Sequence, residues 1–215
     1  MTRSVVIHAK RELKPNMNRF LLFGNLVFAF VASRLADIGS TYYFIPELGI
    51  AEEANPLVSI ARFQWIELLI FQFILGVGVI LFAAYYSFGR TEPVQCKSHS
   101  LRTYASICLF NQDLEISRFL RGLFLGYPIP TNWHQLFRFY GFTLIVSLTA
   151  ASYFAAASWW MNHYFQISWF TYLYQASGGV GNYPLIVVYF GLFVSLIASY
   201  YFFWSEHRFA KMSHG

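Results

Sequence analysis

From Leu68 to Tyr86 the chain contains no charged residue. An apolar run of that length constrains the fold more than any short motif. About twenty such residues in a helix cross a hydrocarbon core of about 30 Å. Inside lipid only helices and closed barrels satisfy every backbone donor and acceptor. Three other stretches share this character, so spans are expected over about 20–45, 66–87, 137–161 and 184–204. The low charge content, 12%, agrees with this, since soluble domains carry roughly 25%. The expected fold is all-α integral membrane: a four-helix transmembrane bundle in a single membrane domain over 1–215. A surface helix is expected on its cytoplasmic side and an aromatic segment at its outer interface.

Basic residues orient this bundle. Five Lys/Arg precede the first span (Arg3, Lys10, Arg11, Lys14, Arg19), six lie in 88–138, and Arg208 and Lys211 close the chain. Only Arg62 falls in an opposite-side region, and Arg34 lies within the first span. The positive-inside rule then places both termini and the 88–136 loop in the cytoplasm of a cell-membrane protein, with 46–67 and 162–183 outside. The net charge of +5 is accounted for by this placement, and no nucleic-acid partner is expected. The third span, rich in Ala, Ser and Thr, suits close helix contact, and Gly76 and Gly78 offer the same in the second. Residues 162–183 carry Tyr164, Phe165, Trp169, Phe170, Tyr172 and Tyr174 without a formal charge, which fits an interfacial aromatic belt.

The 88–136 region is the longest polar stretch. Within it, 113–125 reads as an amphipathic helix. Ile116, Phe119, Leu120, Leu123 and Phe124 form one broad side, with Glu115, Arg118, Arg121 and Gly122 largely opposite, and Gly126 and Pro128 follow as stop signals. This predicts a helix on the inner membrane surface with Arg118 and Arg121 at lipid headgroups. The same amphipathicity also fits a helix that covers the end of the bundle.

Polar residues concentrate between Arg34 and Pro56. Arg34, Asp37 and Thr41 share one helix face by their spacing. A charged group at depth is costly in lipid, so this face should point into the bundle or a wet cavity, where it is a candidate site by default. An internal Arg34–Asp37 pair that locks helix packing is the structural alternative. Glu67 is a further candidate partner for Arg34 or Arg62. Asn55-Pro56 reads as an N-cap followed by the first helical residue, and Glu53 beside it favours a positive helix start. If the first span runs outward, Arg34, Asp37, Thr41, Glu53 and Asn55 should converge on one polar site in the outer half of the bundle.

The pattern Asp37-x3-Thr41, then Gly49, then Glu53-x-Asn55-Pro56 resembles a signature of small prokaryotic multi-pass membrane proteins of unknown function. The resemblance covers about residues 20–88. It implies a membrane fold and points to the same polar residues, without implying a reaction.

Several chemistries have no support in the sequence. The expected spans hold no histidine pair for a b-type haem, the loops hold no zinc-ligand spacing, and neither H-E-x-x-H nor G-x-S-x-G occurs. No cofactor and no metal are expected. Cys96 and Cys108 read as reduced thiols in the cytoplasmic loop. Three functions remain, and whether the chain is an enzyme is open among them. The favoured one is a non-catalytic accessory, assembly or lipid/protein-interaction subunit, with membrane lipids and other membrane proteins or further copies of itself as partners. The alternatives are a transporter or proton-linked channel using Asp37 and Glu53, and a lipid-acting membrane enzyme.

Overall fold

The computed structural model describes residues 17–48, 62, 64–89, 100–176 and 185–212. Among these every regular element is a helix, with no strand. Its helices are α1 (Met17–Leu48), α2 (Trp65–Phe88), α3 (Leu101–Phe110), α4 (Ile116–Leu125), α5 (Trp133–Trp159), α6 (Ser168–Ala176) and α7 (Leu185–Met212). Four of them are long and apolar enough to cross a membrane, over Asn18–Phe44, Trp65–Phe88, Trp133–Tyr164 and Leu185–Arg208. α1 continues past Ile45 with Pro46 in its last turn, so part of the expected 46–55 turn is helical. α5 and α7 also outrun their expected ends. His134 and His163, at the edges of the expected third span, lie within the Trp133–Tyr164 segment, and His207 lies within Leu185–Arg208.

The helices group into two compact units. One comprises residues 1–23, 82–143 and 198–215, the other 24–81 and 144–197. Each long helix contributes a stretch to both.

In the second unit, α5 supplies small residues where α7 comes close. A Cβ on Gly191 would sit 3.5 Å from that of Ala151, an ordinary contact. Phe154 stacks on Phe190 with ring centroids 4.4 Å apart. Two hydroxyls on α5 satisfy themselves along the helix: Thr149 Oγ1 donates to Ile145 O at 2.6 Å and Ser158 Oγ to Phe154 O at 2.7 Å. Such back-bonding lets hydroxyls sit in an apolar helix without a distant partner. Over its most apolar stretch of 18 residues α5 is 33% buried, against 11% for the corresponding stretch of α1. The helix built from small residues is thus the more enclosed one, as close packing in lipid requires.

The glycines of α2 do not mark the tight approach expected of them. A Cβ on Gly76 would meet the Phe30 ring at 3.8 Å, and one on Gly78 would meet nothing within 4 Å. The tight approach is at Gly141 of α5, in the first unit. There a Cβ would collide with the carbonyl oxygen of Phe82 and lie 3.0 Å from Tyr86 Cβ. A glycine is indispensable only where the partner helix places backbone, rather than a side chain that can move, opposite it.

The first unit also contains the 100–132 region, which holds more structure than a polar loop. Tyr104, Ala105, Cys108 and Leu109 recur at one-helix-face spacing and are all buried, making α3 a core helix. It ends where Asn111 takes a left-handed conformation, φ 58°. Cys108 is therefore a buried core residue next to Tyr104, rather than a loop thiol. Burial, and then Cys108, push the pKa of the Tyr104 hydroxyl well above the usual phenol range, which keeps it neutral. α4 stops at Gly126, with φ 70°, as its sequence signals required. Gly122 does not share the polar side with Arg118 and Arg121, however. It is buried, and a Cβ there would stand 2.5 Å from the Phe110 ring. The absent side chain is what lets Phe110 lie against the helix.

Residues 162–176 are also more ordered than an aromatic belt requires. α5 widens into a single π turn over Trp160–Tyr164, closed by Phe165 N to Trp160 O at 2.9 Å. α6 follows. Tyr164, Phe165, Trp169 and Tyr172 are exposed, whereas Phe170 is buried. Gly178, Gly179 and Gly181 lie outside the described residues.

Candidate functional site

Arg34 is the hub of the polar site, which lies wholly within the second unit. Its Nη1 donates to Asp37 Oδ2 at 3.2 Å on α1 and to Ser152 Oγ at 2.6 Å on α5. Its Nη2 donates to Gln72 Oε1 on α2. One guanidinium thus joins three of the four long helices. The local reason is helix geometry: residues three apart on α1 lie on one face, so Asp37 meets the cation that Arg34 projects. The planar donor fork of arginine can engage three acceptors in different directions, as a lysine ammonium does less well. Arg34 and Asp37 are 20% and 21% exposed, so the pair is largely, not fully, withdrawn from the surface. Beside it, Ser40 Oγ donates to Asp37 O at 2.9 Å.

Of the residues expected to converge, the structure brings Arg34 and Asp37 together. Thr41 is buried one turn beyond Asp37 on α1. Glu53 and Asn55 lie outside the described residues. Glu67 does not partner Arg34 or Arg62 here. Its Oε2 accepts from the backbone amide of Gln64 at 2.9 Å, capping the start of α2. Gln72 and Ser152 were missed by sequence reasoning. Gln72 was legible as the one strongly polar side chain in the Leu68–Tyr86 run. Ser152 was hidden among the small residues of its span, where a hydroxyl and a methyl serve close packing about equally.

The first unit holds a second ion pair that the sequence did not single out. Arg138 of α5 and Glu206 of α7 bond in bidentate fashion, Nη1 to Oε2 at 3.2 Å and Nη2 to Oε1 at 3.0 Å. Gln135 Oε1 accepts from Nη1 at 3.2 Å, and the guanidinium lies 5.8 Å from the centre of the Tyr86 ring. The arginine side chain is 6% exposed and the glutamate 22%. In the sequence Arg138 counts only as one of the six basic residues of 88–138.

Arg118 and Arg121 are exposed on α4, in the first unit. Together with Gln112, Leu114, Tyr127 and Ile129 they line a cleft of about 580 Å³.

These sites do not assemble a nucleophile with its base. The Ser152 hydroxyl faces an arginine, which can donate but not accept, whereas nucleophile activation needs an acceptor. Among the described residues, no three of His, Cys, Asp and Glu are grouped so as to hold a metal ion. Comparison with known protein families, characterised proteins and solved structures returned no match.

Proposed function

We propose that the chain is a non-catalytic multi-pass membrane component, an accessory, assembly or interaction subunit. One observation supports this reading above the others. Arg34, Asp37, Arg138 and Glu206, the charged residues set in from the helix ends, are held in ion pairs, and one of these pairs ties three helices. A transport or catalytic site must exchange such partners for its cargo or substrate, whereas a structural tie keeps them. The long helices meanwhile present large apolar side chains outward, with Phe73 72% and Ile66 71% exposed. Surfaces of that kind face lipid or another membrane helix. Purification of the full chain from its native membrane in mild detergent is expected to yield a stoichiometric membrane-protein partner or a defined self-assembly. A solitary monomer, together with a lipid that accumulates when the gene is deleted, would replace this reading with that of a lipid-acting enzyme.

In the same reading both termini are cytoplasmic, on the strength of thirteen of the fifteen Lys/Arg assigned to one side. Reporter fusions after residues 110 and 215 should report cytoplasm, and one after residue 172 the outside. A cytoplasmic signal at residue 172 would overturn this orientation.

A further inference from the structure

We infer that the cleft beside α4 is a binding site for the headgroup of one anionic phospholipid. The inference rests on the membrane-component reading but adds a discrete site to it, in place of a general attraction between arginines and a charged surface.

The cleft is built from fixed walls. On one side, the turn after α3 is clamped by the fully buried Ser106, whose Oγ donates to Gln112 O at 2.7 Å and accepts from Leu114 N at 2.8 Å. On the other side, the Tyr127–Ile129 segment leads to Thr131 and Asn132, whose amides both donate to Leu109 O, at 2.9 and 3.1 Å. α4 forms the remaining wall. It is held by Phe110 packed against Gly122 and by the Tyr140 hydroxyl, which donates to Leu123 O at 3.0 Å.

Two cations project from that frame. Arg118 and Arg121 are one turn apart on α4, and both line the cleft. Neither has a hydrogen-bond or ion-pair partner among the described residues. Of the two acids nearest in the chain, Asp113 is already engaged, by Arg102 at 3.7 Å and by Thr103, and Glu115 forms no ion pair with either arginine. Like charges at this helix spacing repel each other, and an anion between them removes the repulsion. Guanidinium groups bind phosphate oxygens in paired, directional hydrogen bonds.

The surroundings select a lipid over a free anion. Leu125 and Tyr127 are each 78% exposed and Ile129 66%, with Ile116 and Leu120 exposed on the same helix. Apolar side chains beside two arginines suit a ligand with a charged head and an apolar body. The cleft also lies a few residues before Trp133, where a candidate span begins, so its position along the chain is that of an interface.

The test uses the full chain purified in a neutral detergent, with native mass spectrometry reading the lipid retained. Phosphatidylglycerol and phosphatidylcholine are the lipid probes and inorganic phosphate is the competitor. One phosphatidylglycerol per chain is expected, retained at least tenfold better than phosphatidylcholine and not displaced by millimolar phosphate. Arg118→Gln and Arg121→Gln should each weaken retention roughly fivefold, and the pair roughly thirtyfold, as for basic residues at an anionic surface. Because the single variants are read separately, misfolding of the double variant does not remove the test. Arg208→Gln, which removes a cation of α7 that does not line the cleft, should change nothing. Equal retention of the two lipids, displacement by phosphate, or unchanged retention in the single variants would each overturn the site. This readout is independent of the partner purification. A chain that keeps the lipid but has no protein partner would sink only the subunit reading, and the reverse result only the lipid site.

Discussion

Glu206→Ala is expected to lower the stability of the detergent-solubilised protein by about 3–5 kcal/mol, the range seen when one partner of a buried ion pair is removed. The Arg138 cation would then remain at 6% side-chain exposure with Gln135 and the Tyr86 ring beside it and no carboxylate opposite. Glu206→Gln retains an acceptor and should cost less. Replacing both charges by Met removes the desolvation penalty together with the attraction, so Arg138→Met combined with Glu206→Met should lie close to wild type. Thermal unfolding followed by size-exclusion chromatography distinguishes these outcomes. A Glu206→Ala protein that melts with the wild type would show that the pair carries no net stability.

The Arg34 site should respond differently because its cation has several partners. Arg34→Leu strands the Asp37 carboxylate and leaves the Gln72 amide without its donor, and is expected to cost about 3–5 kcal/mol. Asp37→Leu should cost less, roughly 1–3 kcal/mol, because Gln72 and Ser152 still accept from the guanidinium. Interhelical hydrogen bonds in membranes average only about 0.6 kcal/mol. A triple replacement, Arg34→Leu, Asp37→Leu and Gln72→Leu, should therefore fold nearly as well as the wild type. That variant separates packing from function. If it folds and fails to complement a deletion, the polar cluster has a task beyond holding helices. Full complementation would reduce the cluster to a clamp. An Asp37→Leu protein less stable than Arg34→Leu would show that Arg34 is not the hub.

The ion pairs show where sequence reasoning reaches its limit. Arg34 and Asp37 were legible as partners because a helix alone brings residues three apart together. Arg138 and Glu206 are distant in sequence, and no local rule connects α5 to α7. Gln72 and Ser152 likewise join the site only through the packing of α2 and α5 against α1. Gly76 and Gly78 looked like approach points on composition, yet the approach is at Gly141, since close contact depends on what the partner helix places opposite. Within 100–132, periodicity could have revealed α3. The basic residues around it, together with its short length, let the region pass for a polar loop.

The sequence by itself determined that this is a helical chain with four segments able to cross a membrane, because hydrophobic length and backbone satisfaction in lipid are local requirements. It also determined where α4 stops and which two α1 residues share a charge pair, since both follow from the turn of one helix. Tertiary structure alone decided which helices the Arg34 cation joins and that Arg138 is buried against Glu206. It also decided that Gly122 faces Phe110 rather than sharing the arginine side, and that two exposed arginines line a walled cleft. Each of these depends on distances between residues remote in the chain, which hydrophobic pattern and charge spacing do not encode.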